Sequence, residues 1–420
     1  MDALDELHSG HFRRGLLLKE QGRYPEAEPF FRDALGQNPR DAASFHHLAG
    51  CLFQIAGREA EALPVVDEAI ALEPEEAGHH ALQAHILCFL ERPKEGLAAA
   101  QAAVELEPDN AFCFVAESQA LLCLERWAEA ERAARCALGL DPENLAAANQ
   151  LSRALRLQNK MEENREQLVS MLARDPENAY THANAGWSAL QSGNRREAEA
   201  HFLESLRLDP ESEWAREGLL QSFRARSPFY RAYLSYSFMM QRLSGKARWG
   251  IILGLYFGVR FARVLFSGPY APIGLGIGLL YVLFVLWVWV ARGVGNFILL
   301  LDRFARHALR REERWEAVAV AGSLLLGTAL AGTAFLTGPQ HLIMSAIALC
   351  AASIPLSLVF TNRSVPGRVL FGAVALFGLC TGLLAGVLGP AGSIPGLVVI
   401  AVIAAGCCTW LGNVSFFKKR

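Results

Sequence analysis

Several things are missing from this sequence. Its nine cysteines, at 51, 88, 113, 123, 136, 350, 380, 407 and 408, form no CxxC pair. No histidine stands at metal-ligand spacing beside them, so buried thiols in a reducing compartment are expected, with no metal and no cofactor. The N-terminus, MDALDELHSG, has neither a basic stretch nor an apolar run, and no cleavable signal peptide is expected. There is no phosphate-binding glycine loop, no nucleophile–base signature, no zinc motif and no nucleic-acid module.

Charge of one sign is missing by region. Residues 1–227 hold 38 Asp and Glu against 23 Lys and Arg, a net of −15. Residues 228–420 hold 4 acids against 17 bases, a net of +13. An acidic part joined to a basic, apolar part points to two different solvents. Three parts are expected: 1–227, a short linker over 228–248, and 249–420.

What is present in the first part is a period. Proline recurs at 39, 74, 108, 142, 176 and 210, at intervals of 35, 34, 34, 34 and 34. The phrase LDPEN at 140–144 returns as RDPEN at 174–178 and LDPES at 208–212. Proline stops a helix because it lacks a backbone N–H and clashes with the preceding turn. Asn110, Asn144, Asn178 and Ser212 follow as N-caps of the next helix. Each unit predicts a first helix, a turn near Gly22, Gly57, Glu91, Glu125, Asn159 or Gly193, and a second helix. Small residues (Ala27, Ala62, Ala130, Ala198) stand where the two helices approach closely.

This pattern resembles the tetratricopeptide repeat, with six units at 8–41, 42–76, 77–110, 111–144, 145–178 and 179–212 and a solvating half-repeat at 213–226. The fifth unit departs most, with Asn164 at the small position and Lys160–Met161 at the turn. The resemblance implies an all-α solenoid whose first helices line a concave, partner-binding groove. Matching groove positions are His46, Phe53, His85, Phe89, Phe112, Val115, Gln119, Leu122, Asn149, Arg153, Arg156, Tyr180 and Trp187. They suit a cytoplasmic protein or peptide with an apolar face and an acidic flank; Phe112, Val115 and Leu122 can equally be read as packing residues. The Lys and Asn of the family's peptide clamp are mostly replaced by apolar residues, so chaperone-tail binding is not expected. The His46–His47 and His79–His80 pairs lack a carboxylate or cysteine to complete a metal set.

Past Trp249 the chain reads as six apolar spans, near 249–267, 271–291, 317–337, 341–361, 368–388 and 393–414. None contains Asp or Glu, which argues against a proton-coupled pump. The first is weakened by Arg260 and Arg263, three residues apart, which suit lipid phosphate, a polar path or a headgroup layer. Basic residues precede span one (Arg242, Lys246, Arg248), lie between spans two and three (Arg303 to Arg314) and four and five (Arg363, Arg368), and end the chain (Lys418, Lys419, Arg420). With six spans they all fall on one side, so both termini are expected in the cytoplasm of a bacterial inner membrane. The uncharged connections carry Gly-Pro at 268–269, 338–339 and 389–390. Gly250, Gly254 and Gly258, and Gly378, Gly382 and Gly386, predict close helix packing, expected mainly within one chain, with an oligomer left open. Residues 296–315 are expected to form one amphipathic helix, with Arg303, Arg306, Arg310 and Arg314 facing anionic lipid.

The expectation is a membrane-anchored interaction scaffold with no enzymatic activity and no nucleic-acid partner. A transport or pore component regulated by its repeats is the alternative. An enzyme acting on lipid is a weaker third, because no acid, base or nucleophile cluster marks the membrane surface.

Overall fold

The computed structural model describes residues 3–412 apart from 267, 304, 363 and 390–393; the side chains of 3–9 and 269 are likewise not described. It divides into two compact units, Met1–Ala215 and Arg216–Arg420.

The first unit is six helical pairs: α1 (Ala3–Glu20) with α2 (Tyr24–Gln37), α3 (Ala42–Gln54) with α4 (Ala62–Leu72), and α5 (Ala77–Phe89) with α6 (Pro93–Leu106). Then come α7 (Ala111–Cys123) with α8 (Trp127–Leu140), α9 (Leu145–Leu157) with α10 (Met161–Arg174), and α11 (Ala179–Gln191) with α12 (Arg195–Leu208). Helix α13 (Glu213–Arg224) follows.

The turn inside each pair requires a left-handed residue. Gly22, Gly57 and Gly193 have φ of 72°, 85° and 84°, and Glu91, Glu125 and Asn159 have 61°, 60° and 64°. Three of these positions therefore hold a side chain where glycine is favoured. The DPEN phrase works as punctuation. Helix α8 ends on Leu140, Asp141 is its C-cap, and Asn144 Oδ1 accepts from the Ala147 N–H at 3.0 Å. Asn144 also donates to Asp141 at 3.1 Å, and Asn178 repeats both contacts with Thr181 and Asp175.

The core between helices is built from alanine. Ala27, Ala62, Ala130 and Ala198 are fully buried. At Gly96 a Cβ would come within 2.8 Å of Cys88 Sγ, so even alanine is too large there. Asn164 takes this position in the fifth pair, and it too is fully buried. Its Oδ1 accepts from Ser152 Oγ at 2.6 Å and its Nδ2 donates to Ser188 Oγ at 2.8 Å, so its polar head is satisfied and α10 forms.

The second unit continues with α14 (Pro228–Gln241), α15 (Gly245–Leu265), α16 (Ala271–Leu301), α17 (Arg311–Thr337), α18 (Gln340–Thr361), α19 (Val365–Leu388) and α20 (Ile394–Leu411). Five of these, α16 to α20, are long and apolar enough to cross a membrane. The expected six becomes five because any bilayer-length stretch of α15 contains at least three Lys or Arg. Helix α15 buries none of its residues. It starts beside the end of α20, where Trp249 and Trp410 have ring centroids 5.6 Å apart. It ends against the start of α16, where a Cβ on Gly274 would lie 3.3 Å from Arg263 Cα.

The two glycine series behave differently. On α19, a Cβ at Gly378, Gly382 or Gly386 would lie 3.1, 2.8 or 3.1 Å from Ala352, Leu349 or Ser345 of α18. On α15, a Cβ at Gly250, Gly254 or Gly258 meets nothing within 4 Å. The packing expected within one chain holds for the α19 series and fails for the α15 series. Gly268, Gly338 and Gly389 of the three Gly-Pro turns share positive φ, at 64°, 92° and 70°.

Residues 296–315 do not form one amphipathic helix. Helix α16 runs on to Leu301, a 3-10 turn spans Ala305–Ala308, and α17 starts at Arg311. The break has local causes. Asp302 Oδ1 accepts from the Ala305 N–H at 3.0 Å, and Glu313 accepts from the Arg310 N–H at 2.8 Å in a capping arrangement. Leu299, Ala305 and Leu309 are buried together with Leu220 of α13. Phe304, Arg363 and the terminal Lys418, Lys419 and Arg420 lie outside the described residues.

Candidate functional site

Successive first helices of the repeats touch through side chains on one face. Lys19 Nζ donates to His47 Nδ1 at 3.0 Å, and the Nδ1 atoms of His46 and His79 lie 3.1 Å apart. Phe53 meets Phe89 edge-on at 5.5 Å, and His85 meets Phe112 at 5.6 Å. Gln150 donates to Gln119 at 3.5 Å, Asn184 to Asn149 at 2.7 Å, and Arg156 to Gln191 at 3.3 Å. Tyr180 meets Trp214 at 5.0 Å, and Trp214 stacks on Trp187 at 6.2 Å. Ten of the thirteen residues expected in a groove belong to this ladder.

Their exposure sorts them. Phe89, Phe112 and Tyr180 are exposed, at 55%, 43% and 49%, and Arg153 is half-buried. Val115 and Leu122 are buried in the cores between α7 and its neighbours, so they pack and do not line a surface. Arg156 and Asn149 are buried and serve the ladder. Trp187 packs edge-on against Phe202. Lys19, Gln150, Gln191 and Trp214 were not among the expected residues. Their separation from partners by 28 to 35 residues is the signal that finds most of them.

Charge divides the two helices of each pair after the first, α1 itself carrying Asp5, Glu6 and Glu20. Helices α3, α5, α7, α9 and α11 hold one carboxylate, Glu117, among them. Helices α2, α4, α6, α8, α10 and α12 hold fifteen. The ladder face is thus aromatic, amide-rich and weakly basic, while the second helices carry the acid. The ladder histidines are held neutral. Burial, reinforced by His47, His79 and Lys19, lowers His46 to about 3. Burial and Lys19 lower His47 to about 4, and burial alone lowers His85 to about 4. No group of three or more His, Cys, Asp or Glu able to hold a metal occurs among the described residues.

A second polar constellation lies within the other unit. Arg224 is fully buried; its Nε donates to Asn296 Oδ1 at 2.9 Å and its Nη1 to Glu217 at 3.1 Å. Asn296 Nδ2 and Ser357 Oγ each donate to Glu316 at 3.1 Å. Arg216 clamps Glu313 with two bonds of 3.2 and 3.1 Å. Arg292 stands 3.8 Å from Glu313 and 3.7 Å from Glu316. Tyr230 fits against Gly295, where a Cβ would come within 2.9 Å of its ring. The sequence reading placed the apolar span at 317–337, one residue past Glu316. Because α17 starts at Arg311, three glutamates enter its first two turns.

The remaining expected site residues are arginines. Arg260 and Arg263 are exposed on α15. Arg303, Arg306, Arg310 and Arg314 are exposed around the α16–α17 connection, although Arg314 also donates to the carbonyls of Leu309 and Arg306 at 3.0 and 3.2 Å.

Three tetratricopeptide-repeat families match residues 18–86, 115–179 and 179–212. These stretches carry tetratricopeptide repeats, and a C-terminal helical region that contains five long apolar helices follows them. Tetratricopeptide repeats make up protein–protein interaction domains. Among solved structures, YrrB, described as a TPR protein with an unusual peptide-binding site, is 22% identical. The match covers 44% of this chain and 96% of that one, with a TM-score of 0.32. Pseudomonas aeruginosa pilF is 21% identical over 54% of this chain and 100% of that one, with a TM-score of 0.42. PilW, a widely conserved type IV pilus biogenesis factor, is 18% identical over 50% and 98%, with a TM-score of 0.43. No curated protein matches the chain.

Proposed function

We propose that this protein is a membrane-anchored scaffold that recruits a cytoplasmic protein or peptide to the bacterial inner membrane. The observation that carries the reading is the one-sided distribution of charge on the repeats. Exposed Phe89, Phe112 and Tyr180 offer apolar anchors, and Arg153 supplies a cation on a face almost free of carboxylates. A segment with an apolar face and an acidic flank suits that face, and the fifteen carboxylates of the second helices discourage it from binding elsewhere.

Helices α16 to α20 are the proposed anchor. Arg303, Arg306, Arg310 and Arg314 stand at the end of the bundle where α16 leads into α17, and Arg368 where α18 leads into α19; the turns at Gly338 and Gly389 are uncharged. The basic end then faces the cytoplasm and its anionic lipid. Helices α13 and α14 pack at that same end, against Asn296, Leu299 and Trp287 of α16. The chain therefore reaches the anchor from the cytoplasmic side. The link to the start of α16 is α15, a helix with two exposed arginines rather than a sixth apolar span.

The test is purification from native membranes followed by mass spectrometry, with Phe112→Ala/Arg153→Glu beside the unaltered chain. A protein lost only from the variant, whose melting is unchanged, supports the scaffold. An identical set of co-purifying proteins defeats it. The second reading, a transport component, is favoured by one observation, the buried charges around Glu316. Solute or ion flux into proteoliposomes, abolished by Glu316→Gln, would move function to the anchor.

A further inference from the structure

Helices α13, α16, α17 and α18 of the second unit are joined by one chain of polar contacts: Glu217–Arg224–Asn296–Glu316–Ser357, with Arg216–Glu313 beside it. Burying such groups is costly unless every charge is paired, and removing one partner leaves another stranded. Two details set this network apart from static stitching. The Nη2 of Arg224 is buried and has no hydrogen-bond partner among the described residues. Arg292 stands just beyond hydrogen-bond range of both Glu313 and Glu316. It belongs to α16; its side chain is 37% exposed, while its Nε is buried with no hydrogen-bond partner among the described residues.

Each glutamate thus has two suitors. Arg216 and the Arg224–Asn296 relay come from, or depend on, α13. Arg292 comes from the bundle itself. We infer that these residues form a cation-exchange latch: α13 and α14 are held on the bundle while Arg216 bonds Glu313 and Arg224 holds Asn296, itself bonded to Glu316, and they release when Arg292 closes onto both carboxylates. The exchange keeps the glutamates paired in both arrangements, which a network without Arg292 could not do. The aromatic face of α14, where Phe229 and Tyr233 meet Trp287 at 6.2 and 6.1 Å, holds the latched state by apolar contact. Ser357 extends the device to α18, so the two states differ at a helix that α13 reaches through Asn296 and Glu316.

Hydrogen exchange on the full chain in lipid nanodiscs tests the latch. Arg224→Met should raise exchange about tenfold in α13 and α14, and also in α18 around Ser357. Arg292→Met should do the opposite and slow exchange in α13 and α14, because release would then strand two carboxylates. A purely structural network predicts that both variants loosen the unit. Loosening by Arg292→Met, or a change on Arg224→Met confined to α13, therefore overturns the proposal. If Arg224→Met does not insert, Arg216→Gln, at a half-buried residue, reads the same release. Unchanged exchange in that variant also counts against the latch.

Discussion

The two units bury opposite things. In the repeats alanine fills much of the interior and most charges sit outside, Arg156 and Glu131 excepted, in pairs such as Arg92–Glu95 and Arg126–Glu129 at 2.6 and 2.5 Å. In the second unit large apolar side chains face outward, Phe335 at 90% and Leu336 at 82%, while Arg224, Asn296 and Glu316 are inside. A water-facing solenoid can place ions at its surface at little cost. Helices that cross a bilayer, as proposed here for α16 to α20, would have to place their polar groups inward and satisfy them there. The same residue types therefore carry very different weight in the two halves.

Deleting one ion-pair partner in each half is the strongest way to test that contrast. Arg224→Met removes a buried partner of Glu217 and Asn296 and should cost about 3–5 kcal/mol, read as a large drop in melting temperature in detergent. Arg126→Ala breaks an exposed pair of the repeats and should leave melting unchanged. Equal shifts would mean that the second unit is wetter than its packing suggests.

Close packing offers the next test. Gly382→Leu drives a side chain into Leu349 of α18 and should destabilise by about 1–3 kcal/mol or more. Gly254→Leu, the same change in the same sequence pattern, meets open space on α15 and should leave the isolated chain as stable as before. Loss of stability at Gly254 would show that α15 packs against something in the folded protein that a single chain does not supply.

Most of the repeat fold was legible. Proline and DPEN punctuation mark helix ends by local backbone chemistry, which a sequence states directly. The six turn positions were legible for the same reason, including the three without glycine. The second unit was harder because its information is not local. Arg260 and Arg263 interrupt an otherwise apolar run, and the sum of charges, not any one residue, separates α15 from the five apolar helices. The glycine stripes of α15 and α19 look identical in sequence, and only the neighbour decides which one is buried. Glu316 was missed because an apolar span was ended at its first apolar residue, whereas the helix carries its glutamates into the bundle. Val115 and Leu122 were misplaced for a similar reason. A repeat position names a helix face to within one turn, and a turn separates the groove from the core.

Acid should also distinguish the halves. His46, His47 and His85 have folded-state values of about 3, 4 and 4, below the ordinary value of 6.5. Protonation is then favoured in the unfolded chain. Their contribution to stability is complete above about pH 6.5 and is lost as pH falls toward 4. Hydrogen exchange at pH 7.5, 6 and 5, taken relative to the intrinsic amide rate at each pH, should therefore show protection lost in α3 and α5 first, before carboxylates begin to titrate. His85→Gln should flatten that dependence. Protection in α3 and α5 that does not change over this range would mean that the histidines are solvated and charged in the folded protein.

The smallest expected effect lies in the turns that the sequence marked. Glu91 and Glu125 adopt a left-handed conformation that costs an L-residue about 1–2 kcal/mol. The equivalent turns at Gly22, Gly57 and Gly193 avoid that cost. Replacing Glu91 or Glu125 by glycine removes the strain but loosens the unfolded chain, so the net gain should be at most about 1 kcal/mol. Alanine at either position keeps the strain and should gain nothing. Comparing Glu91→Gly with Glu91→Ala by thermal melting separates backbone strain from the loss of a surface charge. If both substitutions stabilise equally, the acidity of this region and not its turn geometry limits the repeats.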